Sequence, residues 1–254
     1  MSPLLAMNGN GKLLFEDPGQ LFTAPEVFAI ASARAASIVQ KFFSAADSAL
    51  WDFGTADFTW NIWFRRTGGQ FVWSHGGDSG DTGATAGWMW AMNNASMLMR
   101  FWGSELILYD RAGMSNGMDD GNWHMLTMRR TGTTFQAFVD NVAPTTSYTS
   151  STSIDEGTEP MYICRQFDNL TTTGDYAAAS MWTRALSDAE LTTLYNSGCG
   201  ISPRQYSGAF LTDLQNAWPF DEVTGTDDAE DVTGTQDLTA NGSGGLPGTT
   251  GPCS

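Results

Sequence analysis

Phe58, Trp60, Ile62 and Phe64 alternate with Thr59, Asn61, Trp63 and Arg65. A period of two predicts a strand with one buried face. Arg66-Thr67-Gly68-Gly69 then reads as a turn and residues 70–74 as the returning strand of a hairpin. A Gly-rich stretch, 76–83, reads as a loop. Strands are expected at 87–92, 97–102 and 105–109, and a turn-rich segment at 114–121. A second hairpin pairs 123–130 with 134–140 across Thr131-Gly132-Thr133. Ser187 and Glu190 have the spacing of a capping box, so a short helix is expected from there to Tyr195, stopped by Gly198 and Gly200. Short strands with Gly-rich turns, and no alternation of strands with helices, predict an all-β sandwich.

The two ends of the chain break this pattern. Residues 1–40 contain Asp17-Pro18-Gly19, Ala24-Pro25 and an alanine-rich run over 25–36, and predict an arm, either a short helix or extended. An arm of this kind needs a surface to lie on, and its Phe15, Phe22 and Phe28 are candidate contacts with a partner subunit. Residues 201–254 form a tail. It carries Gln215-Asn216-Ala217-Trp218-Pro219-Phe220 and then a run of acids.

Composition narrows the class. At 254 residues with 41% hydrophobic positions, the chain suits one large β domain with a real core. The formal net charge of −16 disfavours nucleic acid and anionic membranes as partners, since both would repel it. No apolar run is long enough to span a bilayer, and the N-terminus lacks the basic-then-apolar order of a secretory signal. The sequence therefore predicts a soluble protein, kept in a cytoplasm or carried out in a larger particle. Cys164, Cys199 and Cys253 are too few for a disulfide scaffold, and none forms a Cys-x-x-Cys pair that would suggest zinc. Whether Cys199 and Cys253 pair is left open.

Three stretches together resemble the laminin-G-like, concanavalin A-like family in its non-catalytic form. They are Trp123-His124 opening a strand, the turn and strand that end at Asp140, and Arg184-Ala185-Leu186-Ser187-Asp188-Ala189-Glu190 before Tyr195. The resemblance implies a jelly-roll-like sandwich of two antiparallel sheets over residues 41–200, after an arm at 1–40. Asp140-Asn141 departs from the family's usual Asp-Gly. Gln215 to Glu222 resembles an element that opens such domains, and Asp237 to Gly242 one that follows it; here both stand after the closing motif. The tail at 201–254 is thus expected to complete this sandwich or to pair with a neighbour's. Self-closure is favoured by the high effective concentration of an attached strand.

Candidate chemistry follows. No Glu-x-Asp-x-x-Glu signature, nucleophile elbow, phosphate loop or His-Glu-x-x-His is present, so no catalytic residue is assigned. His124 alternates with Leu126 and Met128 and reads as a buried or rim imidazole bonded to backbone. Trp88, Trp90 and Trp102, with Arg100, are candidates for stacking on sugar faces, although large aromatics also fill sandwich cores. Asp228, Asp231 and Asp237 are candidate ligands for Ca²⁺, the one cofactor considered. Arg65-Arg66 and Arg129-Arg130 each end a strand and enter a turn; Arg65 and Arg66 are candidates to pair with carboxylates of a neighbouring subunit, and either pair could instead guard an edge strand.

Two functions are expected from these readings. The first is a structural virion component, such as a bacteriophage capsid decoration or fibre protein in an oligomeric lattice, because laminin-G-like domains are frequent in virion proteins. The second is a lectin-like, carbohydrate-binding module, with or without Ca²⁺.

Overall fold

The protein is described here by a computed structural model covering residues 5–7, 13–15, 33–35, 42–68, 71–76, 87–92, 96–101, 104–110, 120–143, 147–154, 160–164, 173–221, 228–241 and 252. Its strands are β1 (Leu5–Met7), β2 (Leu13–Phe15), β3 (Ala33–Ala35), β4 (Phe42–Ala45), β5 (Phe58–Gly68), β6 (Phe71–Gly76), β7 (Gly87–Met92) and β8 (Ser96–Phe101). They continue with β9 (Ser104–Asp110), β10 (Trp123–Thr131), β11 (Thr134–Val139), β12 (Tyr148–Thr149), β13 (Met161–Ile163) and β14 (Thr173–Trp182). After the helix α1 (Asp188–Tyr195) come β15 (Leu214–Trp218) and β16 (Thr239–Asn241).

Two antiparallel sheets face each other. One runs β12-β11-β10-β5-β14-β15, with β3 also paired to β14; the other runs β16-β4-β13-β6-β7-β8-β9. Phe58, Trp60, Ile62 and Phe64 of β5 point between them, as their alternation predicts, and meet Trp73, Trp88, Trp90, Met99 and Ile163 from the opposite sheet. Trp60 anchors this core, stacked on Phe58 at 4.3 Å and on Trp88 at 4.2 Å. Offset stacking of this kind adds roughly 0.5–1.5 kcal/mol per pair beyond the area removed from water.

The expectation of a single buried face fails at β5. Thr59, Asn61 and Trp63, on the side away from the core, are also buried, at 0%, 1% and 1% exposure. A second apolar cluster covers them: Leu186, Leu191 and Leu194 around α1, with Tyr206 from the following segment, lie on Trp63, Met125, Phe138 and Trp182. The helix itself forms as its sequence predicts. Ser187 Oγ accepts from the Glu190 N–H, and the Glu190 carboxylate accepts from the Ser187 N–H. Its end does not follow the prediction. Asn196, in the left-handed region at φ 46°, closes the helix before either glycine is reached. Asn tolerates that region better than most side chains.

Asp140 and Asn141 both take positive φ, 51° and 61°, and the Val142 N–H donates to the Val139 carbonyl at 2.8 Å. This is the primed turn that a tight hairpin needs, with Asn standing where Gly is usual.

The tail completes its own sandwich. β15 pairs with β14 and β16 pairs with β4, Asn241 lying opposite Phe42. The described part of the arm is extended rather than helical where it reaches the sandwich. β3 lies opposite residues 174–176 of β14, while β15 takes up 179–182 of the same strand. A bulge separates the two, with Ala178 at φ 50° sending its N–H to the Pro219 carbonyl at 3.2 Å. β1 and β2 pair with each other. Cys164 is a buried thiol, and Cys199 is disulfide-bonded. Cys253 lies outside the described residues. No helix among the described residues is long and apolar enough to cross a membrane.

Candidate functional site

Past the end of α1, the outer face of the β10-β5-β14 sheet carries a row of three residues in register. Trp123 lies opposite Arg65, and Arg65 opposite Asp175. Strand periodicity puts this row two residues from the Met125–Trp63–Ala177 row that the helix covers. The Arg65 guanidinium sits 5.1 Å from the centroid of the Trp123 ring. Its Nε donates to Asp175 Oδ2 at 2.7 Å, and Nη2 donates to the same oxygen. The Asp175 side chain is 1% exposed and that of Arg65 is 27% exposed, so the ion pair is rooted in the sheet and opens outward at the arginine. Tyr195, the last helical residue, stacks on Trp63 at 5.9 Å with ring planes 2° apart. Its phenol is held above its usual pKa by burial and by the charge of Asp140. Trp123 and Tyr195 are both half-buried, which leaves part of each ring to a ligand. Aromatic planes beside fixed polar groups suit a sugar, whose C–H face stacks while its hydroxyls hydrogen-bond.

His124 is the next residue along β10. It is bonded to two carboxylates, not to backbone as its sequence pattern suggested: Nδ1 is 2.6 Å from Asp140 Oδ2, and Nε2 is 3.1 Å from Asp120 Oδ1. Burial works to lower its pKa, but the two carboxylates outweigh it and hold the imidazole above its ordinary value.

Of the residues expected to hold Ca²⁺, Asp231 does not fit that role. Asp231 is 2% exposed. Its Oδ1 accepts from the N–H groups of Ala217 and Thr233 at 2.9 and 3.0 Å. Its Oδ2 accepts from Asn216 Nδ2 at 2.7 Å and the Gln236 N–H at 3.1 Å, with the Thr233 and Thr235 hydroxyls at 2.8 and 2.7 Å. Burial pushes this carboxyl up, yet the donors, led by the Ala217 N–H, hold it below the usual carboxylate range. A carboxylate ringed by hydrogens has no lone pair left for a cation. Asp237 Oδ1 accepts from the Asp231 N–H and Asp228 Oδ1 from the Ala240 N–H. All three acids fold the tail. Among the described residues, no three carboxylate, His or Cys side chains gather as a metal site.

Of the aromatic candidates, Trp88 and Trp90 lie in the core at 2% and 0% exposure, packed against Trp60 and Trp73. They are closed to a sugar because β7 turns both toward the opposite sheet. Trp102 and the side chain of Arg100 lie outside the described residues, as do Phe22, Phe28 and the side chains of Phe15 and Arg66. Arg65, expected to reach a neighbouring subunit, is engaged by Asp175 of its own chain. Arg129 and Arg130 do not guard an edge, because β10 is an interior strand. Arg130 is 1% exposed and donates to the carbonyls of Gly132 and Gly54.

The platform thus consists of Trp123, Arg65, Asp175 and Tyr195. The sequence offered one overlooked signal: Asp175 is a lone charge ahead of the apolar run Tyr176-Ala177-Ala178-Ala179.

A family model described as the concanavalin A-like lectin/glucanase superfamily matches residues 41–192. The chain belongs to that superfamily. Its two stacked sheets and permuted tail are therefore a concanavalin A-like sandwich closed from the C-terminal side. A candidate carbohydrate-binding protein from Bacteroides ovatus ATCC 8483 superimposes with a TM-score of 0.61 at 11% identity, over 88% of this chain and 61% of that one. This concanavalin A-like chain thus spans about three-fifths of the length of that neighbour. The IT-sialidase CBM40 of Ruminococcus gnavus gives a TM-score of 0.47 at 12% identity, over 66% of this chain and 97% of that one. The binding domain of Paraclostridial Mosquitocidal Protein 1 gives 0.47 at 12% identity, over 66% and 52%. Likeness at such identities concerns the fold alone. A search of curated proteins found no match.

Proposed function

We propose that this protein is a carbohydrate-binding module that does not hydrolyse its ligand, and that Trp123, Arg65 and Tyr195 receive the sugar while the buried Asp175 fixes the arginine. The observation that carries the reading is Trp123, a half-buried indole beside a guanidinium fixed by a buried carboxylate. Superfamily membership and the fold shared with a neighbour named for carbohydrate binding support it. The missing paired-carboxylate signature favours binding over hydrolysis.

A glycan array followed by titration calorimetry tests this. A ligand found on the array is expected to bind Trp123→Ala about tenfold or more weakly, the scale of about 1.4 kcal/mol from a lost stacking surface. An array with no ligand, or a Trp123→Ala variant that binds as well as the parent, ends the proposal.

A role as a subunit on a virion surface is a second reading. It is favoured by the β1–β2 hairpin, which among the described residues pairs with neither sheet. Under it, removing residues 1–32 converts an assembly into monomers in native mass spectrometry. An unaltered chain that is monomeric at every concentration counts against it.

A further inference from the structure

His124 bridges two turns through two acceptors. A carboxylate offers no proton, so each contact needs a hydrogen on the ring nitrogen that faces it. Nδ1 faces Asp140 at 2.6 Å and Nε2 faces Asp120 at 3.1 Å. A neutral imidazole carries one such hydrogen and would turn a lone pair on the other carboxylate. The arrangement is complete only for the imidazolium.

The two carboxylates are held unequally. Asp140 belongs to the tight turn that follows β11, and its Oδ1 also accepts from the Met125 N–H at 2.9 Å. The same turn is tied to α1, since Asn141 Nδ2 donates to Thr192 Oγ1 at 2.9 Å. Asp120 lies in the exposed bend that leads into Trp123, and its other bonds are to Asn122 of that bend, at 2.8 Å each. A proton lost from Nε2 therefore breaks the longer contact, to the exposed bend. Among the described residues, no other charged group is bonded to His124. The β5 residue opposite His124 is Phe64, Arg65 beside it is bound to Asp175 of β14, and Tyr195 of α1 remains a neutral phenol.

We propose that His124 is a proton-operated clasp on the approach to Trp123, gripping the bend at 120–122 when doubly protonated and releasing it when neutral. As regulation of the glycan platform, the clasp rests on the function proposed above; as a conformational device, it does not.

Imidazole nitrogen NMR on the full chain tests the clasp. His124 is expected to titrate with a midpoint above 6.5 and to hold protons on both nitrogens below it. The Trp123 indole resonance should move with the same midpoint. Asp120→Asn should draw the His124 midpoint back toward 6.5. Both Asp120→Asn and His124→Gln should leave the Trp123 resonance constant with pH. A midpoint at or below 6.5, or a Trp123 resonance indifferent to pH in the unaltered chain, overturns the proposal. Glycan affinity measured a pH unit either side of the midpoint should fall severalfold on the alkaline side. Absence of glycan binding at every pH, with the Trp123 response intact, refutes the platform and leaves the clasp standing.

Discussion

At Asp231 a buried carboxylate is met by amide and hydroxyl donors that keep their protons at any ordinary pH; at Asp120 and Asp140 the donor that joins the two turns is an imidazole that does not. Both arrangements fasten turns, and from a distance both are merely acidic stretches of an acidic chain. What separates them is the identity of the donor. Fixed donors make a permanent joint, which suits a tail that must stay in the sheet. A titrating donor makes a joint with an off state, placed beside the one half-buried tryptophan of the platform.

Removing the permanent joint should have the largest effect. Asp231→Ala leaves several buried N–H donors without an acceptor and is expected to lower unfolding free energy by about 3 kcal/mol or more. Urea unfolding with an unchanged slope would show this as a lower midpoint. If the variant is as stable as the parent, the carboxylate does not organise the tail.

Acid should distinguish the two next. The Asp231 carboxyl is held below its ordinary value of 3.8, so its contribution is present above that pH and is lost as pH falls through the folded value. Asp231→Asn should flatten the acid limb of a stability profile. His124 behaves oppositely. Its pKa is raised above 6.5, so its contribution is full below that pH and fades as pH climbs through the folded value. His124→Gln should flatten only this neutral-to-alkaline limb. A parent profile that is level there would remove the contrast.

The smallest effect sharpens the comparison. Glu190 is a third carboxylate with permanent donors, Arg184 and Ser187, and the Arg184 hydrogen bonds lead in holding its pKa down to about 2. It lies on the surface, with the side chain 21% exposed. Ser187→Ala should cost about 1 kcal/mol in thermal or urea unfolding and leave the neutral pH profile unchanged.

Local pattern made much of this architecture readable. The inward set of β5, the 123–139 hairpin and the Ser187 cap follow from periodicity and short spacings, and the strand near 215 from the family resemblance. What alternation cannot reveal is what lies on the other side of a strand. Trp63 and Trp60 look alike in sequence, yet one meets the opposite sheet and the other meets a helix more than a hundred residues later. The same limit hid the platform. Arg65 and Asp175 are 110 positions apart, and no local rule joins them. The acids of the tail misled in the reverse way, because proximity in sequence suggested a cation site where the backbone itself supplies the donors.

The partnership of β16 with β4 sets a schedule for synthesis. Asn241 Nδ2 donates to Ser44 Oγ across 197 positions. The first strand of that sheet must therefore wait, one side open, until residue 241 has left the ribosome. Closure of the sandwich then comes after nearly two hundred further residues have been made, and until then the nascent chain carries an unsatisfied sheet edge.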